Sequence, residues 1–161
     1  VELNLGSADE VKDAWKRIHS NAKAAMPDAS ITGLYVIKMV FGAEEIILGI
    51  KRDPSFGPVL LFGLGGIFVE VFKDVSFGVA PLSRDEAMHM LEQTKAYKIL
   101  KGARGRNPRD IDSIVDALLR LGQLAADFPE IEELDINPLF VLDKGKGCVL
   151  GDARMILTTT E

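Results

Sequence analysis

The sequence predicts an α+β fold: a largely antiparallel sheet with packed helices. Three observations predict it. Strand-like segments follow one another in groups instead of alternating strictly with helices. Two pairs of these segments are joined by short turns rich in glycine or proline, which favours hairpins. Two helical segments open on the capping-box spacing Ser-x-x-Glu, at Ser7 and at Ser83.

Composition narrows the class of protein. A chain of 161 residues with 47% hydrophobic and 27% charged residues is typical of one globular domain, which we place at residues 1–161. The net charge of −5 argues against a general nucleic-acid surface. The longest apolar stretch, residues 58–72, contains glycines and Glu70, so we expect no membrane partner. A single cysteine fits a reducing compartment, and we expect a cytoplasmic protein.

The first quarter of the chain predicts two strands around a helix. Val1–Leu5 alternates apolar and polar residues, which indicates a strand. A helix follows the Ser7 cap and ends near Pro27. The segment Ile31–Met39 is rich in β-branched and aromatic residues and is predicted to be a strand. The apolar positions of the helix recur at helical spacing: Val11, Ala14, Trp15, Ile18, Ala22 and Ala25.

The next segments predict a hairpin. Glu45–Arg52 and Val59–Phe62 are strand-like, and Asp53–Gly57 supplies the turn between them. Gly63–Gly66 is predicted to be a tight backbone loop. Two further strands are expected after it, at Ile67–Phe72 and Val75–Ala80.

The second half is more helical. A helix is predicted from the Ser83 cap to about Thr94, and Asp110 is expected to cap a strongly amphipathic one. Between them, Lys101–Pro108 is a basic loop carrying Lys101, Arg104 and Arg106, which either contacts an anion or a partner or is simply solvated. The second helix has its apolar residues at Ile111, Ile114, Val115, Leu118, Leu121 and Leu124, and two strands close the chain, Glu133–Leu142 and Cys148–Ile156.

The closing hairpin carries the most informative pattern. If its turn centres between Lys144 and Gly145, Asn137 faces Asp152 and Asp135 faces Arg154. Side chains alternate along a strand, so these four residues share one face. Opposed β-carbons lie about 4.5–5.5 Å apart, and two oxygen donors at that spacing suit Mg²⁺. A solvent-facing strand pair with one Asp–Arg ion pair is the alternative. The other face is expected to pack on the core through Leu134, Ile136, Phe140 and Val149.

These motifs resemble a known family. Leu134–Leu139 and Leu150–Arg154 are similar to the magnesium-binding hairpin of the succinyl-CoA synthetase β subunit and its ADP-forming acyl-CoA synthetase relatives. The resemblance extends through Ile50–Pro58, Phe62–Glu70 and Leu124–Glu130, so it covers nearly the whole chain. It implies an ATP-grasp fold and identifies the sequence as part of such a domain. Gly151 departs from the pattern, since an apolar residue is expected there.

The resemblance also implies roles for individual residues. Asn137 and Asp152 would hold the Mg²⁺ of Mg-ATP or Mg-ADP, with Asp135 close to the transferred phosphoryl group. Backbone groups near Met39 and Val40, in a hinge strand over Val36–Glu45, would meet the adenine. An acidic residue beyond them would bind the ribose, and both carboxylates, Glu44 and Glu45, are available; we favour Glu45. The glycines Gly65 and Gly66 would lie near the phosphoryl-transfer site, and Lys51 and Arg52 are either phosphate-binding cations or a solvated hairpin end.

The resemblance implies that the parent enzyme converts acid, CoA and ATP to acyl-CoA, ADP and phosphate through a phosphohistidine. CoA and the acid would be handled mainly by a partner, an α subunit or domain that carries the histidine. The chain is expected to lack the N-terminal part of the ATP-grasp domain, to fold alone, and to bind ATP weakly. The alternative is a regulatory acyl-CoA or nucleotide sensor of a protein lysine acetyltransferase.

Overall fold

The computed structural model describes residues 1–65, 74–102 and 105–158. The chain divides into two compact units, Val1–Phe41 and Gly42–Glu161. The assignment of residues 1–161 to a single partial domain stays a prediction. In the described part of the chain, no helix is both long enough and apolar enough to cross a membrane.

The first unit is built on helix α1, Ala8–Ala25. The predicted cap is confirmed, because Ser7 Oγ accepts a hydrogen bond from the Glu10 backbone N–H at 3.2 Å. The reciprocal bond differs from the usual capping box: Glu10 Oε2 accepts from the N–H of Gly6 at 2.8 Å. Trp15, predicted on the packed face of this helix, has 48% of its surface exposed, and Ala14 is the buried residue of α1.

Two predicted strands of the first unit are wrong. Val1–Leu5 and Ile31–Met39 form neither a strand nor a bridge with the rest of the described chain, and the expected hinge strand begins only at Glu44. β-branched and aromatic residues fit a pleated surface, but a strand exists only where a second backbone completes the ladder of hydrogen bonds. The sequence pattern shows that the side chains suit a strand, but it does not show whether a partner backbone is present.

The second unit is a sheet with helices on one face. Strand β1, Glu44–Asp53, pairs with β2, Gly57–Leu64, and β2 pairs with β3, Val75–Val79. On its other edge β1 pairs with β4, Ile131–Val141, which in turn pairs with both β5, Cys148–Leu150, and β6, Ala153–Leu157. All of these pairings are antiparallel, so the predicted fold class is confirmed.

The helices of the second unit start at strong caps. Helix α2, Arg84–Glu92, has a complete capping box in which Ser83 and Glu86 exchange hydrogen bonds. Helix α4, Ile111–Asp127, is capped by Asp110, which accepts from the N–H of Ser113 at 3.2 Å. A short helix α3, Ala96–Leu100, was not predicted; Asp74 binds the N–H groups of Lys95 and Ala96 at its start.

The core lies between the sheet and these helices. Strands and helices both contribute fully buried side chains, such as Phe62 and Leu118, each with 0% of its surface exposed. The same face of β1 supplies Ile46, Leu48 and Ile50. This covered face therefore holds the apolar residues that drive folding, and it leaves the opposite face of the sheet without helices from the described part of this unit.

The predicted glycine loop is only partly right. Gly63 and Leu64 continue β2, where Gly63 pairs with Ile47 and Val75. A β-carbon at Gly63 would come within 2.9 Å of the Asp74 carbonyl oxygen, so glycine allows this close approach of strands. The expected strand Ile67–Phe72 and residue Gly66 lie outside the described residues.

Candidate functional site

The candidate site occupies the face of the sheet opposite the core, which we call the open face. One row of cross-strand neighbours runs across it from Phe77 through Leu61, Gly49 and Asp135 to Arg154. Gly49 has no side chain, so there is open space above the sheet beside Asp135. A cavity of about 230 Å³ lies here, and its lining residues include Ile47, Gly49, Lys51, Leu61, Glu133 and Asp135.

The register of the closing hairpin is as predicted. Asp135 pairs with Arg154, and Leu139 pairs with Leu150. Between these pairs, the N–H of Asn137 donates to the carbonyl oxygen of Asp152 at 3.1 Å. Asn137 and Asp152 are therefore direct cross-strand neighbours. Ile136 and Leu134 point into the core, so strand alternation puts Asp135 and Asn137 on the open face.

The second strand of this hairpin is interrupted at the site. The predicted continuous strand Cys148–Ile156 is wrong, because β5 ends at Leu150 and β6 begins at Ala153. The gap explains why Gly151 departs from the family pattern. A β-carbon at Gly151 would come within 2.9 Å of the Pro138 carbonyl oxygen and 2.6 Å of the Phe140 ring. Only glycine lets the backbone pass this close while Asp152 stays opposite Asn137.

Strand β4 changes its pattern of burial at the same point. Its register with β1 shifts between Ile46 and Leu48, opposite Asn137 and Pro138, which is the signature of a β-bulge. Beyond the shift, Leu139 and Val141 are buried. The prediction that Phe140 and Val149 pack on the core is therefore wrong; Val149 has 41% of its surface exposed. An extra residue in one strand moves the residues after it to the other face, and the alternation of the sequence does not reveal this change.

The charges around Asp135 form one cluster. Burial raises the pKa of the Asp135 carboxyl above its ordinary value of 3.8, and the nearby carboxylates of Glu133 and Asp152 raise it further. The Arg154 guanidinium opposes these effects on the pKa. The electrostatic influence of Asp152 and Arg154 on Asp135 agrees with their placement on the same side of the hairpin.

The donor set fits a hard divalent cation bound together with phosphates. Asn137 supplies an amide and Asp152 a carboxylate, and Asp152 is exposed, with its Oδ1 accepting from the Ala153 N–H at 2.9 Å. Among residues 1–65, 74–102 and 105–158, no three His, Cys, Asp or Glu side chains are grouped to hold a metal ion. A two-residue oxygen site suits Mg²⁺, which usually retains waters and takes substrate phosphates.

The structure separates the two candidate ribose ligands. Glu44 is tied to arginines: its Oε1 lies 3.1 Å from Arg106 Nη1 and 3.3 Å from Arg109 Nη2. Glu45 is exposed and lies on the open-face side of β1, with the same parity as Ile47 and Gly49. Its carbonyl oxygen accepts from the N–H of Gly65 at 2.8 Å.

The two neighbouring cations of β1 have different surroundings. The Arg52 guanidinium donates to the carbonyl oxygens of Ile131 and Ala125 at 3.1 and 2.8 Å. It therefore ties the end of α4 to the start of β4. Lys51 is exposed and lines the open-face cavity opposite Glu133. Of the two predicted phosphate-binding cations, Lys51 is the one on the candidate site's face.

Met39, Val40 and Gly65 are also predicted to take part in nucleotide binding. Met39 and Val40 belong to the first unit and are half-buried, and Met39 lines a cavity of about 380 Å³ beside α1. Gly65 packs against the backbone of Ile46, where a β-carbon would lie 3.1 Å from the nitrogen. Gly66 and Arg104 lie outside the described residues.

Sequence reasoning missed Arg109. Its side chain is 11% exposed and contacts Glu44, Asp143 and the Gly42 carbonyl oxygen. The only sequence signal was its position directly before the helix cap Asp110, which would not by itself have revealed partners so distant in the chain.

Comparison with known proteins supports the fold. A model of the ATP-grasp domain family matches residues 1–157. The chain is 48% identical over 158 residues to the β subunit of ADP-forming acetate–CoA ligase II of Pyrococcus furiosus, covering 98% of this chain and 67% of that subunit. It is 50% identical over 157 residues to ADP-forming acetate–CoA ligase I of Archaeoglobus fulgidus, covering 98% of this chain but only 22% of that ligase.

Solved structures agree. The chain superposes with a TM-score of 0.89 and 46% identity on dinucleotide-forming acetyl-coenzyme A synthetase 1 of Candidatus Korarchaeum cryptofilum in complex with coenzyme A and Ca-AMPCP, covering 98% of this chain and 68% of that one. A second structure of that synthetase, with coenzyme A and Mg-AMPPCP, gives a TM-score of 0.84 at 43% identity, covering 98% and 67%. On the sheet topology, the hairpin register and these matches together, the chain belongs to the ATP-grasp domain family.

Proposed function

We propose that this chain is the nucleotide-binding part of an ADP-forming acyl-CoA synthetase. The parent reaction would be acid, CoA and ATP to acyl-CoA, ADP and phosphate, by way of a phosphohistidine on a partner subunit or domain. The observation that carries the proposal is the pair Asn137 and Asp152, opposed across an interrupted hairpin, with Asp135 on the same face. The family match and the ligase relatives support it.

Asn137 and Asp152 would bind Mg-nucleotide through their side-chain oxygens. When bound, the ion would neutralise phosphate charge during phosphoryl transfer. The pair carries one formal negative charge, so it leaves room for a phosphate to share the site. The acetyl-coenzyme A synthetase complex with Mg-AMPPCP is consistent with this assignment.

Asp135 would lie close to the transferred phosphoryl group. Its raised pKa means that the ionised carboxylate is already partly destabilised by burial and by neighbouring acids. Arg154, directly across the hairpin, supplies an opposing charge. In such a setting Asp135 is suited to accept a hydrogen bond from an incoming N–H group, and a bare phosphate oxygen would be repelled unless a cation lies between them.

The nucleoside contacts of the proposal come from the resemblance. Glu45 would accept hydrogen bonds from the ribose hydroxyls, and its exposure at the start of β1 supports that choice over Glu44. Backbone groups of Met39 and Val40 would meet the adenine edge. Lys51 is available to a phosphate from the floor of the open face.

Overall similarity does not identify the acid substrate. The chain is 50% identical to an acetate–CoA ligase and 48% identical to the 4-hydroxybutyrate–CoA ligase of Nitrosopumilus maritimus. These relatives are named for acids of different length and polarity, so the proposal names the acid only as a class. The named relatives are ligases, and nothing in the structure favours the regulatory-sensor alternative.

The proposal is tested in the full-length protein by following transfer of the terminal phosphate of radiolabelled ATP to histidine. We expect Asp152→Asn to slow labelling by about a hundredfold, because it removes a full charge from the shell of the cation. Asp116→Asn is the matched control, since Asp116 is an exposed helix carboxylate that pairs with Arg120 one turn further along the same helix. Normal labelling by Asp152→Asn would overturn the metal assignment, and an unlabelled wild-type protein would overturn the function.

A further inference from the structure

The strongest unassigned feature is the environment of Arg109. Its Nη1 donates to the Gly42 carbonyl oxygen at 2.5 Å and to Asp143 Oδ1 at 2.7 Å, while Nη2 reaches Glu44 Oε1 at 3.3 Å. The side chain is only 11% exposed. Charge-assisted bonds from one planar guanidinium to three fixed acceptors hold those acceptors in a defined geometry.

The three acceptors lie in or beside the two strands that carry the candidate site, β1 and β4. Glu44 is the first residue of β1 and immediately precedes the predicted ribose ligand Glu45, and Gly42 lies two residues before the strand. Asp143 lies in the turn of the hairpin that presents Asn137 and Asp152. Arg109 thus joins the nucleoside end of the site to the metal end.

This connection matters because the ladder between those strands is imperfect. Strands β1 and β4 pair from Glu44 to Ile46, and then their register shifts next to Asn137. A bulge weakens the constraint that pairing alone places on neighbouring side chains. Arg109 supplies a second constraint on the position of β1, at the start of the strand next to Glu45.

The backbone near Arg109 is held independently of its side chain. Residue 109 forms a bridge with Asp143, and the Asp110 N–H donates to the Leu142 carbonyl oxygen at 2.9 Å. Asp110 Oδ2 also accepts from the Gly147 N–H at 2.8 Å. Replacing the guanidinium therefore removes the link to Gly42 and one of two arginine contacts with Glu44, the other being from Arg106, and it leaves the helix and hairpin joined.

We infer that Arg109 is a positioning residue for nucleotide binding, which acts through Gly42 and Glu44 to set the location of Glu45 relative to the Asn137–Asp152 pair. This inference rests on the proposed function. In it, Glu44 is an anchor for β1, and Arg109 itself does not touch the nucleotide. The ligand concerned is the nucleoside part of Mg-ATP or Mg-ADP.

The test measures the dissociation constant of Mg-ATP by calorimetry, and kcat, on the full-length protein. We expect Arg109→Gln to weaken Mg-ATP binding about tenfold, since a binding group is misplaced but not removed. The kcat at saturating ATP and the KM for CoA should stay within about twofold, which is the pattern of lost uniform binding. Arg120→Gln, at an exposed helix ion pair, is the matched control and should bind normally.

A second pair of variants keeps the inference falsifiable if Arg109→Gln does not fold. Glu44→Gln should also weaken Mg-ATP binding. Arg109→Lys should have an affinity between those of the wild type and Arg109→Gln, since an ammonium keeps the charge but loses the planar set of donors. In a Glu44→Gln background, Arg109→Gln should weaken binding by less than it does in the wild type, because the bond to the Gly42 carbonyl oxygen is the part of its effect that remains.

The outcomes separate cleanly. Unchanged Mg-ATP affinity in Arg109→Gln or in Glu44→Gln, with a wild-type protein that binds Mg-ATP, would overturn the inference and leave the proposed function intact. A loss of kcat and thermal stability with unchanged affinity would show a purely structural role and would also overturn it. A wild-type protein that fails to bind Mg-ATP would overturn the proposed function instead.

Discussion

The two faces of the sheet in the second unit are made from the same strands but serve different ends. On the covered face, β1 and β2 present branched and aromatic side chains that are fully buried under helices. On the open face, the same strands present Gly49, Gly63 and the exposed Glu45, next to the carboxylates of β4 and its partner. Residues next to each other in sequence therefore have different roles. Substitutions on the covered face should reduce stability, and substitutions on the open face should reduce ligand binding.

The largest effect is expected on the covered face. Phe62→Ala should lower the free energy of unfolding by about 3–5 kcal/mol, because it removes a fully buried ring and leaves a cavity. Phe77→Ala, on the open face with 60% of Phe77 exposed, is the control and should cost much less. Urea denaturation of the chain measures both. Equal losses would mean that the open face is packed as tightly as the core.

The next effect should appear only in ligand binding. Asn137→Ala should raise the Mg²⁺ concentration needed for half-maximal activity of the full-length protein by roughly ten- to a hundredfold, as for other losses of a supporting group at a metal site. Excess Mg²⁺ should restore activity, and the unfolding transition should not move. A variant that needs no more Mg²⁺ than the wild type would remove Asn137 from the site.

Substitutions of Lys51 and Arg52 compare the two faces of the sheet at adjacent positions. Arg52→Gln should destabilise the fold by about 1–3 kcal/mol, because it leaves the carbonyl groups of Ala125 in α4 and Ile131 in β4 without their charged donor. Lys51→Gln should leave stability nearly unchanged and weaken Mg-ATP binding. Thermal unfolding and calorimetry distinguish the two, and a reversed result would exchange their assigned roles.

The smallest effect concerns Asp135 and pH. Its raised pKa means that the folded state binds this proton more tightly than the unfolded chain does. The carboxylate therefore costs stability as pH rises from about 3.8 through the higher pKa of the folded state. Asp135→Asn should raise the free energy of unfolding at pH 7 by less than about 1 kcal/mol, because solvent screens the interactions of this partly exposed group. The gain should vanish below pH 3.8; a gain that persists there would contradict the assigned cause.

Much of the second unit could be predicted from its sequence because local signals were strong there. The caps at Ser83 and Asp110 fixed two helix starts, and the glycine turn near Gly145 fixed the register that opposes Asn137 and Asp152. The family resemblance then supplied the roles of these residues. These predictions are correct because the residues that determine each cap or turn are close together in the sequence.

The errors arose where the deciding contact is distant in sequence. Ile31–Met39 has the side chains of a strand, but no local signal reports whether a partner backbone is present. The burial of Leu139 in place of Phe140 follows from a register shift against β1, which is encoded far upstream. Arg109 was missed for the same reason, since its partners Glu44 and Asp143 are brought together only by the folded sheet.

The connectivity of β4 has a consequence for the order of folding. The contacts that oppose Asn137 and Asp152 close a short loop, whereas the pairing of β4 with β1 joins segments from distant parts of the chain. Short loops close early and at low entropic cost, and distant pairings come later. The Asn137–Asp152 pair should therefore form in the same early step as its turn, while Glu45 reaches it only when the sheet is completed. Amide hydrogen exchange during refolding would show protection at Asn137 before protection along β1.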